Sequence, residues 1–327
     1  MSIIEPAPDV EEVVAEAAAA DVATEAVDVA ATPPKPSRSW LNVVGPLAVL
    51  AAFLGVWYLF HYVVLSETRR FILPPPHVVI DVAFVQGARL SDLAEMGKRV
   101  VDDLIPFVNL GADPDDSVVL IDNLEALWLT AKVSLVGLAL ATIGGVTVAM
   151  LMSQARWVER AFFPYAVIVQ AIPILAIVPL IGAFWGFGFN ARVIVCVIIS
   201  FFPIMANTLF GLHSVDPEMH DLFTLHRSSR WTRLWKLQVP AALPAFFTGL
   251  RIAAGLSVIG AIVGDFFFRR GEPGLGSQLD KYFGRADNPE LFGAIILSSV
   301  LGIAVFAFFG WLSQRIIGAW ASDRPTT

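Results

Sequence analysis

Cysteine is almost missing from this sequence: Cys196 stands alone in 327 residues, so no intrachain disulfide can form. It sits within an apolar run, where an inert buried thiol is expected. Charge is scarce too. Only 16% of residues are Asp, Glu, Lys or Arg while 56% are hydrophobic, a balance that excludes an ordinary water-soluble domain and indicates a polytopic membrane protein. No G-x-x-x-x-G-K-[ST] occurs, so the chain cannot cradle ATP by itself and energy for pumping has to come from a partner. The H-E-x-x-H of an intramembrane zinc protease is absent as well. An aspartyl protease shares one proton between two aspartates, and the apolar spans offer only Asp265. His213 and His220 lie two helical turns apart, roughly 10 Å, and His226 falls on another face, so the three do not converge on a metal. Nor is there the internal repeat, with broken helices in both halves, that marks many secondary transporters.

What is present is a series of apolar spans separated by polar segments. Residues 1–37 hold eight acids and no base before position 35 and end in ATPPKPS, so they read as a disordered acidic tail. Without residues 1–34 the net charge of −7 becomes +1, from 22 basic minus 21 acidic residues. No basic region precedes an apolar core, so no cleaved signal peptide is expected. The first span occupies 38–65, with Leu41 to Leu65 free of Asp, Glu, Lys and Arg and long enough for a hydrocarbon core of about 30 Å. His61 near its end reads as an interfacial histidine, with a proton relay as the alternative. A polar excursion at 66–123 follows, in which Leu90, Leu93, Val100, Val101, Leu104, Ile105 and Val108 repeat at helical spacing. Asp113, Asp115 and Asp116 after it lack the later Gly and Glu of a calcium loop and read as a solvated turn.

Five further spans complete an all-α core over 124–320, about six transmembrane helices in all, with a short tail at 321–327. The second runs from about Ala126 to Met152, with Lys132 its only charge and Gly137, Gly144 and Gly145 supplying small residues for close packing. The third, Ala161 to Gly188, holds Pro164, Pro173 and Pro179 and is either a broken helix lining a path or a plain kinked one. Val193 to Leu212, Ala241 to Phe268 and Leu291 to Leu312 are the others. An even number of spans places both termini on one side. Outside the spans, Lys and Arg number ten on each side, with Arg192 counted in a turn at 189–192, so the positive-inside rule does not decide the orientation.

Ionisable and polar groups inside spans are costly, about 2.5–3.5 kcal/mol for a charge at the centre, and mark candidate sites. They are Lys132, Arg251 and Asp265, joined by Gln170 and Asn207 as pathway or structural candidates. Arg251 lies about eleven residues past Pro240, near mid-membrane, and is either an attractor for an anionic substrate or a structural anchor bonding helix-end carbonyls of a neighbouring span. Lys132 and Asp265 fall near the outer ends of their spans. Both are expected to be solvated, with a mutual salt bridge as the alternative.

The stretch Asp216–Phe268 organises the rest. Leu222, Leu225, Trp231, Leu234, Trp235 and Leu237 recur at helical spacing while Arg227, Arg230, Arg233 and Lys236 take the other face, a pattern that suits a membrane surface or a partner's groove. Asp221-Leu222-Phe223, Arg227 and Val239-Pro240, with Ser229-Arg230-Trp231, Pro240-Ala-Ala-Leu-Pro244 and Thr248-Gly-Leu-Arg251, make the sequence resemble the permease subunit of bacterial binding-protein-dependent ABC importers. The likeness is to the branch that carries nitrate, sulfonates, taurine, thiamine-precursor pyrimidines and flavins. It covers roughly Leu124 to Trp320, with a weaker echo at Leu73-Pro74. Leu222 and Phe223 stand where that family usually has alanine, and Arg227 where it usually has glycine.

The resemblance implies a multi-pass bacterial inner-membrane protein with both termini cytoplasmic, the 66–123 excursion extracytoplasmic and the 213–240 loop inside. Asp221, Leu222, Phe223, Leu225, Arg227 and Ser229 are then the residues that couple to a separate ATPase subunit, which binds the ATP. This chain carries no cofactor of its own and is not an enzyme. Its other expected partners are an extracytoplasmic binding protein, a second permease copy and the lipid bilayer, with no nucleic acid. A stand-alone channel or secondary transporter is the alternative reading, followed by a membrane enzyme. The scarcity of bases in the spans favours a neutral or weakly charged solute.

Overall fold

The computed structural model describes residues 41–85, 119–269 and 271–321. The acidic tail, the periodic segment 90–108 and the aspartate turn at 111–116 lie outside them. The chain divides into two units, 1–59 and 60–327. In the first, helix α1 (Leu41–Leu59) carries Phe53 edge-on to Trp57 at 5.9 Å.

The second unit opens with a π-helical turn at Phe60–Val64, which extends the first apolar span to Val44–Val64. His61 Nδ1 donates to the Leu73 carbonyl at 2.7 Å, which ties the turn at 66–75 back to the span and gives this histidine a structural task. Helices α2 (Pro76–Ile80), α3 (Val119–Gln154), α4 (Arg156–Ala171), α5 (Ile174–Trp185) and α6 (Phe189–His213) follow. Then come α7 (Pro217–Leu225), α8 (Arg230–Arg233), α9 (Val239–Phe268), α10 (Leu275–Arg285) and α11 (Asn288–Ala321). Among the described residues there is no strand. Five helices are long and apolar enough to cross a membrane, or six when α4 and α5 count as one broken span.

That break settles the third span. Ile172 is extended (ψ 126°), as the residue before a proline prefers, and α4 and α5 meet at 96° across Pro173. Pro164 and Pro179 stay inside their helices. Gln170 is exposed at the end of α4, beside the break.

Helices α3, α6 and α9 form the centre, with α6 between the other two and α11 against α9. Small residues permit the approach: a Cβ on Gly137 of α3 would collide with Cys196 of α6, and one on Gly249 of α9 would lie 2.7 Å from the Pro203 carbonyl. Two serines bond across the interfaces. Ser200 donates to the Ala253 carbonyl at 3.1 Å, and Ser257 to the Ser134 carbonyl at 2.6 Å, so each hydroxyl is satisfied without water. Asn207 instead donates back to Pro203 O at 2.8 Å on its own helix and packs at Gly249, which makes it a packing residue.

Two helices outrun the apolar segments that mark them in the sequence. α3 has 36 residues and α11 has 34, each on the order of 50 Å long at 1.5 Å per residue, well beyond a hydrocarbon core of about 30 Å. The extra turn of α3 is polar because it has partners: Asp122 faces Lys281 at 3.5 Å and Asn123 accepts from Tyr282 at 3.1 Å. Hydropathy cannot see a helix that continues by pairing rather than by apolar burial.

Candidate functional site

Two arrangements of side chains stand at opposite ends of the central helices. The first is built on α7. Pro217 opens it at a position whose N–H would have no helical partner, and its C-terminus closes as a Schellman motif. Arg227 N–H donates to Thr224 O at 2.9 Å and Ser228 N–H to Phe223 O at 3.0 Å. Arg227 sits at φ +50°, the left-handed position glycine usually fills. The next helix begins at once: Ser229 Oγ accepts from Thr232 N–H at 3.1 Å as an N-cap. Arg233 reaches back to Thr224 Oγ1 at 3.0 Å, so α7 and α8 are held at a fixed angle.

The expected continuous amphipathic helix is therefore broken at 226–229, and its apolar residues divide. Leu234 and Leu237 are buried in the bundle, on a π-helical turn (Leu234–Gln238) that leads into α9. Leu222, Leu225, Trp231 and Trp235 face outward, 45%, 81%, 65% and 58% exposed. Beside them is a cavity of about 330 Å³ lined by Leu222, Phe223, His226, Ser228, Thr232 and Lys236. Asp221 points elsewhere, into a polar cavity of about 640 Å³ shared with Arg156, Arg160, His213 and His220. α7 thus presents an apolar outer face and rests on an inner one lined by charged side chains.

Because a non-glycine residue in the left-handed region carries strain, Arg227→Gly should tighten this corner by about 0.5–1 kcal/mol. Amide exchange at 227 and 228 should slow by about twofold to fivefold, with no change elsewhere. Faster exchange at these amides would show that the arginine side chain, not the backbone turn, holds the corner.

The second arrangement gathers the starts of α3 and α6, the end of α9, and α10. Arg192 and Asp265 form an ion pair at 2.9 Å, their side chains 3% and 2% exposed. Arg192 also donates to Glu272 O at 2.8 Å. Asp265 accepts from Ser277 Oγ at 2.8 Å and from Ser277 N–H, the third amide of α10. Thr130 Oγ1 accepts from the first, Leu275 N–H, at 3.0 Å. α10 is thus capped not by its own sequence but by side chains of α9 and α3, and its negative cap suits the helix dipole. Gly276 allows this contact, since a Cβ there would collide with Ile262 O.

These contacts correct three expectations. Asp265 is buried rather than solvated, and its partner is Arg192, not Lys132. Arg192 belongs to the first turn of α6 rather than to a loop. Lys132 lies over the Trp128 ring at 5.8 Å. Arg251 also differs from expectation: its guanidinium packs on Phe306, 4.5 Å from the ring centroid, and against Gly310, and its Nε is buried without a hydrogen-bond partner among the described residues. It touches the neighbouring span through a ring and a missing side chain rather than through carbonyls. Arg192 was missed because the sequence shows it beside a Gly-Phe-Gly turn. The long-range partner that makes it buriable is 73 residues away.

Next to the ion pair opens a cleft of about 460 Å³ lined by Asp122, Glu125, Trp128, Leu129, Lys132, Glu272, Pro273, Ser277, Gln278 and Lys281. Gln278 is 3% exposed, and its Oε1 is buried with no hydrogen-bond partner among the described residues, a state that costs about 1–3 kcal/mol when nothing satisfies it. One turn on, burial and the nearby carboxylates of Asp122 and Glu290 push the Tyr282 hydroxyl up to about 12, so it remains the donor to Asn123.

A bundle of helices long and apolar enough to cross a membrane marks the class as a multi-span membrane protein, and the comparisons with known proteins give its family. Residues 141–318 match the family described as binding-protein-dependent transport system inner membrane component, and the chain belongs to that family. It is similar to the formylaminopyrimidine transport permease ThiX of Halalkalibacterium halodurans, 36% identical over 205 residues that cover 61% of this chain and 81% of that one. The riboflavin transport system permease RibX of Chloroflexus aurantiacus is 32% identical over 168 residues, 51% of this chain and 62% of the relative. The bicarbonate transport system permease CmpB of Synechococcus elongatus is 26% identical over 276 residues, covering 84% and 90%. The chain is accordingly a multi-pass membrane permease subunit of an ABC importer rather than an enzyme, and it works with an ATPase and a substrate-binding protein.

Proposed function

We infer that two copies of this chain form the translocation path for a small neutral or weakly charged solute, with α7 as the helix that engages the ATPase. In this reading α7 and both termini are cytoplasmic, the α10 end receives solute from the binding protein, and ATP is bound only by the ATPase. The observation that carries it is the exposed apolar face of α7, held rigidly to α8 and thereby to α9. A protein partner's cleft is where such a face can be buried, because the helix is too short to cross a membrane. The weakly charged solute is supported by the state of the intramembrane cations: Arg192 is neutralised by Asp265 and Arg251 lies on Phe306.

Single cysteines at 222, 223 and 225, in a Cys196→Ala background, should crosslink to the ATPase subunit in at least one nucleotide state. Absence of crosslinks in every nucleotide state, with transport intact, overturns the assignment of α7.

A further inference from the structure

We propose that the cavity between α4, α6 and α7 holds the headgroup of a phospholipid that carries a primary ammonium beside its phosphate, as a phosphoethanolamine headgroup does. The inference needs only that the chain spans a membrane, and it stands whether or not α7 engages the ATPase.

Opposite charges line this cavity without meeting. Its volume is about 640 Å³, and its walls carry Arg156, Glu159 and Arg160 from α4, His213 from the end of α6, and His220 and Asp221 from α7. Glu159 faces His213 at 3.9 Å. The side chains of Arg156, Arg160 and Asp221 make no ion pair or hydrogen bond among the described residues. Two guanidinium groups and two carboxylates therefore share one space, and with neutral imidazoles their charges cancel. A free anion gains from the arginines and loses to the acids, whereas a zwitterion engages both. The arginine fork suits the two non-bridging oxygens of a phosphodiester. A carboxylate accepts from an ammonium with three N–H donors, and a trimethylated ammonium has none to give, so the amine is primary.

The place of the cavity identifies the source as the bilayer. Arg156 and Arg160 lie one turn apart on α4, immediately before the apolar run that starts at Ala161, so they stand at the level where a span leaves the headgroup layer. Trp157 between them is 72% exposed and Tyr165 is 69% exposed, aromatics of the kind that settle at that interface. Basic pockets between helices at a membrane surface are recognised sites for lipid headgroups. No residue of α4 is buried, which leaves its outer face to the acyl chains of a lipid whose phosphate lies against Arg156 and Arg160.

The test uses the full chain in lipid-depleted detergent micelles, titrated with the dihexanoyl forms of phosphatidylethanolamine, phosphatidylcholine and phosphatidylglycerol and with soluble O-phosphoethanolamine, the bound molecules being counted by native mass spectrometry. Saturable binding of phosphatidylethanolamine is expected, at least ~tenfold tighter than either other lipid, as the loss of one charge-assisted hydrogen bond implies. Arg156→Gln combined with Arg160→Gln should weaken all lipid binding at least ~tenfold. Asp221→Asn should instead abolish the preference over phosphatidylcholine while phosphate-driven binding persists, a split that a merely structural role would not produce. Each altered side chain lacks an intrachain partner, so the variants should fold normally. Arg230→Gln, which removes the same charge from the exposed surface of α8, should change affinity less than about twofold. Equal affinity for the three lipids overturns the proposal, and so does phosphatidylethanolamine binding that survives unchanged in both the double arginine variant and Asp221→Asn. O-phosphoethanolamine binding as tightly as the lipid overturns the bilayer as the source.

Discussion

Replacing Leu222 and Phe223 together by aspartate is expected to abolish capture of the ATPase subunit while leaving the chain inserted and folded. Leu222 is 45% exposed and Phe223 lines an open cavity, so the bundle does not depend on either for its core. Burying two or three such side chains in a partner's cleft contributes on the order of 3–6 kcal/mol before the costs of association. Two carboxylates in their place would reverse its sign by adding desolvation. The affinity for the ATPase subunit should fall at least ~100-fold, read by co-purification at fixed concentrations or by titration of the subunit. Transport should vanish with it. The competing arrangement lays the same residues on lipid headgroups, and it predicts weaker membrane contact but normal capture. Full capture and full transport by the double variant would remove α7 from the coupling path.

The legible part of this fold was the part that hydrophobicity writes. Each span announced itself as an apolar run, the proline triplet at 164, 173 and 179 left the third span open between a broken and a kinked helix, and Gly137 was among the small residues expected to allow close packing. What the sequence concealed depends on contacts between distant residues. Arg192 and Asp265 looked like a loop base and an interface acid because each, taken alone, is too polar to bury. Only the pairing, with Ser277 and the Glu272 carbonyl added, makes the burial tolerable. The amphipathic reading of 216–237 failed for a local reason. Its apolar spacing continues through 226–229, but the backbone turns there with Arg227 at φ +50°, and a periodicity count is blind to a left-handed residue that is not glycine. A glycine at 227 would have marked the turn at once. Gln278 left no signal at all, since a glutamine on a short polar helix reads as solvated until the tertiary contacts close over it.

The two ends are joined by shared helices. α6 starts at the ion pair and finishes at His213, just before α7, and α9 starts beyond α8 and carries Asp265 in its last turn. Serine hydrogen bonds and glycine contacts fasten these helices to each other and to α3, so a tilt imposed at α7 has a direct mechanical route to the wall of the α3–α10 cleft. A rigid-body displacement of this kind is one of the common ways proteins switch between two arrangements.

Asp265→Ala is accordingly expected to be the most damaging single substitution at the cleft end. It leaves Arg192 charged, 3% exposed and without its counterion, and it strips the acceptor from the Ser277 hydroxyl and amide. Breaking a buried pair from one side typically costs about 3–5 kcal/mol, which for a chain of this size is on the order of a 10 °C drop in melting temperature. Arg192→Met combined with Asp265→Leu should recover part of the loss, because no unpaired charge remains. Recovery should stay incomplete, since the Ser277 amide, the third of α10, still lacks the cap that Asp265 supplies. Arg269→Ala is the control: its bond to Asp280 at 2.7 Å is as short, but its side chain is 65% exposed, and exposed pairs contribute at most about 1 kcal/mol. Thermal unfolding of the purified full chain, followed by the fluorescence of its tryptophans, measures all of these variants alike. If Asp265→Ala melts with Arg269→Ala and with the wild type, the ion pair does not hold α10 in place.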